Sequence, residues 1–197
     1  MAKVRNLVLV LGDQLDEDSS ALADFQADRD AVWMAEVAQE STHVWSHKVR
    51  IAYFLSAMRH FRERLREQGV RVEYTALSSR ENKGSLYRQL LHDLKRLRPE
   101  RLIVVQPGEY RVLEDLRKTA QDRAIPFEIR PDEHFLSTLE EFREWAGERK
   151  QLRMEYFYRL LRRKHGILMD DGEPEGGDWN YDSENRDSFG KDGPEPT

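Results

Sequence analysis

Three short segments hold the side chains best suited to gripping a ligand: Gly12-Asp13-Gln14, Glu36 to His47, and Gln106 to Tyr110. Asp13 and Gln14 set a carboxylate beside an amide, a pairing that suits the hydroxyls of a sugar or polyol. The same two residues suit the plain capping of a turn equally well. The second segment, Glu36-Val37-Ala38-Gln39-Glu40-Ser41-Thr42-His43-Val44-Trp45-Ser46-His47, mixes carboxylates, hydroxyls, imidazoles and an indole. Such a set could line a pocket for a flat heteroaromatic ring bearing a hydroxylated chain. On the plainer reading Ser46 caps the helix that follows and His43 and His47 lie at the surface. These two histidines have the i, i+4 spacing of metal ligands on one helical face, but no third ligand accompanies them.

What is missing narrows the chemistry further. The first loop contains neither Gly-x-Gly-x-x-Gly nor Gly-Lys-Ser/Thr, which disfavours a dinucleotide-binding dehydrogenase and a P-loop NTPase. His60, His92, His134 and His165 are scattered, and spacing assembles no Ser/His/Asp triad or paired-carboxylate arrangement. Hydrolysis is unsupported. The chain has no cysteine, so a cysteine nucleophile, a disulfide and a thiolate-held metal or cluster are all excluded within these residues.

These segments become interesting through the elements that must position them. Asn6 to Leu11 is a continuous apolar run closed by Gly12, as expected of a strand buried on both faces. Ala31 to Val37, Val70 to Tyr74, Arg101 to Val105 and Pro126 to Arg130 read as four more strands. Between them lie helical patterns at His47 to Gln68, Leu86 to Leu97 and from Pro107 onward. In the first helix, Val49, Ile51, Ala52, Leu55, Met58 and Phe61 form the expected inner side. Strands alternating with helices predict an α/β, Rossmann-like or flavodoxin-like fold: a five-stranded parallel sheet with helices on both faces. In such sheets ligands sit beyond the carboxyl ends of the strands, where strand order reverses. All three polar segments follow predicted strands.

Past residue 131 the strand pattern ceases. The expected organisation is an α/β domain over 1–133, a helical extension over 134–169 and an acidic, Gly/Pro-rich connector over 170–197. The extension reads as helices at Leu139 to Arg149 and Met154 to His165, the second dense in base (Arg149, Lys150, Arg153, Arg159, Arg162, Arg163, Lys164). It suits a DNA-facing or partner-facing surface, or a solvated face whose core side is Tyr156, Phe157, Tyr158 and Leu160; taken alone, the solvated reading prevails. Trp179, Tyr181 and Phe189 in the connector are unusual for a solvated tail and are expected to pack on something.

At 197 residues, 39% hydrophobic and 35% charged, the chain reads as a well-solvated globular protein with room for one full core. Ten acids against Arg186 and Lys191 give residues 170–197 a charge of −8, leaving the rest at +3 of a total of −5. That balance makes no case for nucleic-acid binding. No apolar run approaches the ~18–20 residues of a membrane span, and no signal peptide is evident. The cytoplasm is the default expectation.

Five strings in the same order resemble one family. They are Leu9-Val10-Leu11-Gly12-Asp13-Gln14-Leu15, Ile51 to Phe61, Pro107-Gly108-Glu109-Tyr110-Arg111-Val112, Met154 to Arg159, and Gly176 to Arg186. They are similar to the deoxyribodipyrimidine photolyase-related proteins, the iron–sulfur bacterial cryptochromes and photolyases. The resemblance implies an N-terminal antenna domain that holds 6,7-dimethyl-8-ribityllumazine for energy transfer to FAD. FAD and a 4Fe–4S cluster would belong to a C-terminal domain absent from this sequence. That domain would be the natural partner, DNA would be reached only through the full-length protein, and no membrane is implied. By the same resemblance Gly12, Asp13 and Gln14 would lie near the ribityl chain. Glu36, Glu40 and His43 would come from the second loop, Ile51 and Phe54 would wall the ring, and Glu109 is a further candidate. No catalytic residue is expected in this chain, which would be inactive alone. The alternative is a stand-alone interaction module derived from such a domain that no longer binds chromophore.

Overall fold

The computed structural model describes residues 3–182 and Gly193. The chain divides into two compact units, Met1–Phe135 and Leu136–Thr197. In the first, strands β1 (Asn6–Leu9), β2 (Ala31–Ala35), β3 (Val72–Thr75), β4 (Arg101–Val105) and β5 (Phe127–Arg130) form one sheet in the order β3-β2-β1-β4-β5. Every pair in it is parallel. The connections are α1 (Ala38–Thr42) and α2 (Lys48–Glu67) between β2 and β3, α3 (Leu86–Leu97) before β4, and α4 (Tyr110–Asp122) before β5. The predicted α/β class is therefore the observed one.

The unbroken apolar runs follow from burial on both faces. Leu7, Leu9, Trp33, Leu102 and Val104 point to one side, where Leu90 and Leu94 of α3 and Val112 and Leu116 of α4 cover them. Val8, Val10, Val32, Met34, Ile103 and Val105 point to the other and meet Met58, Phe61 and Leu65 of α2. Local signals set the helix ends. Ser85 accepts a hydrogen bond from the Arg88 amide to start α3, and Arg98 takes a left-handed turn at its end, directly before Pro99.

Some expectations need correction. Strands β1 and β2 end at Leu9 and Ala35, earlier than their apolar runs, although the Val10 amide still donates to the Trp33 carbonyl at 3.0 Å and the Glu36 amide to the Thr75 carbonyl at 2.9 Å. Val49 and Ala52 of α2 are exposed, and the buried residues of that helix are Met58, Phe61 and Leu65. Val49 and Ala52 stand nine residues, about two and a half turns, before Met58 and Phe61 and so lie on the opposite side of the helix. Ile51, Phe54 and Leu55, on the inner side, border an open cleft. His47, not Ser46, caps α2: its Nδ1 accepts from the Val49 amide at 3.2 Å, while the Ser46 hydroxyl donates to the Val44 carbonyl at 3.4 Å.

The second unit contains α5 (Leu139–Ala146), α6 (Met154–His165) and a minimal hairpin, β6 (Met169–Asp170) with β7 (Glu173–Pro174). The hairpin was invisible to periodicity because two-residue strands cannot alternate. Its turn is carried by Asp171 and Gly172, both at positive φ (45° and 86°), as a type I′ turn requires. Thr138 and Glu141 form a reciprocal capping box at the start of α5. Phe142, Trp145 and Phe157 pack with ring centroids 4.9–5.7 Å apart.

The expected core side of α6 is only partly observed. Phe157 is buried, but Tyr156, Tyr158 and Leu160 are exposed. Arg162 is buried instead, because its guanidinium donates to the Ile167 and Leu168 carbonyls beyond the helix end. Trp179 packs among the guanidinium carbons of Arg159, Arg162 and Arg163, 5.3, 5.2 and 4.7 Å from its ring. The connector aromatic is thus held by cation–π contacts. Tyr181 is exposed and donates to the Glu175 carbonyl; Phe189 lies outside the described residues. Among the described residues no helix is long and apolar enough to cross a membrane.

Candidate functional site

Strand order reverses between β1 and β4, and a cleft of about 280 Å³ opens at the carboxyl ends of β1, β2 and β4. This is where an open parallel sheet offers a ligand its approach. The size stands near the lower end of the roughly 300–1,000 Å³ range of small-molecule sites. Ile51, Phe54, Leu55, Met58, Leu86 and Val112 supply apolar walls, and Asp13, Glu40, Ser41, Ser46, Arg50 and Glu109 supply polar groups. A second cavity of about 350 Å³ lies beyond the Asp13–Gln14 turn and is lined mainly by Asp16, Asp18, Asp132, Glu133 and other polar residues. Its apolar side chains are Val105, Pro131 and Phe135.

Of the nine residues singled out from the sequence, Gly12, Asp13, Glu36, Glu40, Ile51, Phe54 and Glu109 line the first cleft. Gln14 and His43 do not. The Gln14 amide donates to the Val105 and Gln106 carbonyls at 3.3 and 3.1 Å, fastening the loop after β1 to the end of β4. Its Oε1 is buried with no partner among the described residues. His43 ends α1, with Nε2 3.9 Å from a Glu109 carboxylate oxygen. Among the described residues no group of three or more His, Asp or Glu is placed to hold a metal ion.

The carboxylates divide by what they already bind. Glu36 is buried, with Oε1 accepting from Arg59 Nε at 2.7 Å and from the Tyr74 hydroxyl. Its Oε2 accepts from Arg59 Nη2 at 2.9 Å and from the Leu77 amide at 2.8 Å. Burial pushes this carboxyl up, but the bonds from Arg59, Tyr74 and Leu77 outweigh it and hold the group at about 2. Burial together with the Glu36 carboxylate drives the Tyr74 hydroxyl above its usual range. Glu36 thus contributes shape and rigidity to the cleft, with its acceptors already filled.

Glu40 and Glu109 are joined by Arg111. Its Nη1 and Nη2 reach Glu40 at 3.1–3.2 Å, while Nε and Nη2 reach Glu109 at 3.1 Å. This strut ties the loop after β2 to the start of α4, across the cleft mouth. Sequence reasoning passed over Arg111, although it stands inside the Pro107–Val112 string, because its partner Glu40 is remote in the chain. It also passed over Arg50 and Arg59, whose positions on α2 carry no local signal of a cleft.

Gly12 is required by space. Its φ is not positive, but a Cβ there would fall 2.4 Å from Phe54 Cε1, 2.8 Å from Phe54 Cζ and 2.9 Å from Met58 Sδ. Met58 is buried and can give little, whereas the half-exposed Phe54 ring can swing. Gly12→Ala should therefore cost about 1–3 kcal/mol of stability and displace the Phe54 wall. Urea unfolding, with a structure of the variant, checks both; an unmoved Phe54 at full stability would contradict the close approach.

The chain matches the family of deoxyribodipyrimidine photo-lyase-related proteins over residues 8–197. It is 46% identical over 180 residues to a protein of Agrobacterium fabrum (strain C58) described as a (6-4) photolyase. The alignment covers 91% of this chain and 36% of that relative, so the chain spans about a third of the relative's length.

Proposed function

Because the chain belongs to the deoxyribodipyrimidine photo-lyase-related protein family, we propose that its α/β unit is an antenna domain whose cleft holds 6,7-dimethyl-8-ribityllumazine. The observation that carries this reading is the pairing, in one cleft at the reversal of strand order, of apolar walls with ungripped polar groups. When bound, the lumazine would absorb light and pass the excitation to FAD in the remainder of a longer protein. The FAD and the 4Fe–4S cluster would sit there, and light-driven DNA repair or photoreception would be an activity of the whole.

The residues fit such a group. Phe54 and Ile51 offer surfaces against which a flat ring can stack, and Leu55 and Met58 keep water from behind it. The missing side chain at Gly12 lets the Phe54 ring close against the loop after β1, which sets the position of that wall. Asp13 makes no hydrogen bond or ion pair among the described residues, so its oxygens are free to accept from ribityl hydroxyls. The Arg111 strut holds Glu40 and Glu109 at the rim at a fixed spacing. Fixed orientation is what energy transfer demands, and no acid–base pair is needed for it.

A stand-alone interaction module is the second reading, favoured by the exposure of Val44, Trp45, Val49 and Tyr53 near the start of α2. An absorption and fluorescence titration with the lumazine separates the two. Saturable one-to-one binding, weakened by about 1–3 kcal/mol in Asp13→Ala, is expected of the antenna domain. No binding at high micromolar ligand would sink the antenna reading and favour the module.

A further inference from the structure

Four carboxylates line the cleft, and three are already engaged: Glu36 by Arg59, and Glu40 and Glu109 by Arg111. Among the described residues this leaves two charged side chains of the lining without a protein partner, Asp13 and Arg50. Both are exposed, they come from different elements, and they do not pair with each other. Asp13 follows β1, whereas Arg50 stands in the first turn of α2. A carboxylate only accepts hydrogen bonds and a guanidinium only donates them. The cleft therefore has an acceptor pole and a separate donor pole.

Resting on the lumazine reading, we infer that Arg50 is a specificity-determining residue that grips the carbonyl edge of the ligand's ring while Asp13 takes the polyol. This fixes the ligand's direction in the cleft. A pyrimidine-dione edge presents carbonyl acceptors, which suit the planar fork of an arginine. The ribityl chain presents hydroxyl donors, which suit Asp13. The first turn of α2 has no acidic residue and carries Lys48 beside Arg50, and its amino-terminal end favours acceptors further. The reverse orientation would set carbonyl oxygens against Asp13, which has no proton to donate. The same pole disfavours a chain ending in phosphate, so the ligand class is a dione-edged ring with an unphosphorylated polyol.

The test uses the full chain, its Arg50→Gln and Asp13→Asn variants, and two probes: 6,7-dimethyl-8-ribityllumazine and 6,7-dimethyllumazine, which lacks the chain. Arg50→Gln should weaken both probes by about tenfold, the worth of one charge-assisted hydrogen bond. Asp13→Asn should weaken the ribityl probe alone. The absorption band of bound ribityllumazine should move in Arg50→Gln and stay in place in Asp13→Asn, a readout that does not depend on the chainless probe. Circular dichroism confirms that both variants fold, as expected for exposed, unpaired positions. Unchanged affinity and an unchanged band in Arg50→Gln, with normal wild-type binding, would overturn the assignment of Arg50 and leave the antenna reading intact. Absence of saturable binding by the wild type would remove both.

Discussion

Replacing Glu36 with glutamine should cost the α/β unit about 2–3 kcal/mol at pH 7 and blunt its sensitivity to acid. The carboxylate is buried and accepts from Arg59, Tyr74 and Leu77, so it joins the end of β2 to α2 and to the segment after β3. Its carboxyl lies at about 2 in the folded chain against an ordinary value of 4.5. Each unit of such a difference is worth about 1.4 kcal/mol, so the linkage is on the order of 3 kcal/mol. Arg59 is half exposed and recovers solvation once its partner is lost, which keeps the mutational cost below the ~3–5 kcal/mol of a fully buried broken pair. Because the folded carboxyl is the more acidic, its contribution is complete above about pH 4.5. It declines as pH falls and is gone below about pH 2. Urea unfolding of wild type and Glu36→Gln at pH 7 and pH 3 reads this directly. The gap between the two should shrink by more than half at pH 3; a constant gap would mean that the charge of Glu36 is not what stabilises the junction.

Asp93→Ala should cost a further class of stability, about 2–4 kcal/mol, by stranding donors in the core. Asp93 Oδ2 accepts from Trp33 Nε1 at 2.9 Å and from Gln89 Nε2 at 3.0 Å. Trp33 and Gln89 are each 1% exposed, so water cannot take over either bond without opening the packing of α3 on the sheet. An unsatisfied buried donor costs about 1–3 kcal/mol. Asp93→Asn keeps one carbonyl oxygen for Trp33 and should cost less. Trp33→Phe in the Asp93→Ala background removes one of the stranded donors, so the two substitutions should be less than additive. Unfolding followed by far-ultraviolet circular dichroism gives all four free energies. Strict additivity would show that the indole–carboxylate bond contributes nothing.

The two networks mark the boundary of what could be read without coordinates. Strands β1, β2 and β4 announced themselves as apolar runs because both sides of each meet helices. The run Leu86–Leu97 announced α3 through its period and its Ser85 cap. Such signals are local: they arise from residues a few positions apart, and they survive whatever the rest of the chain does. Apolar type alone misled in the first turns of α2. Val49 and Ala52 stand nine residues, about two and a half turns, before Met58 and Phe61 and so face away from the sheet, while Ile51, Phe54 and Leu55 line the cleft.

By itself the sequence determined the α/β class, the order of its strands and helices, and the strand ends at which a ligand must approach, since these follow from local pattern and from the geometry of parallel sheets. Only the tertiary structure decided which polar groups are left for a ligand. Glu36 meets Arg59 from across the β2–α2 junction, and Glu40 meets Arg111 across the cleft mouth, while Asp13 and Arg50 meet no partner among the described residues. Sequence types these residues alike as charged and loop- or helix-borne. Whether a charge is spent or free depends on which elements the packed sheet brings within hydrogen-bond reach, and that distance is set by the fold as a whole.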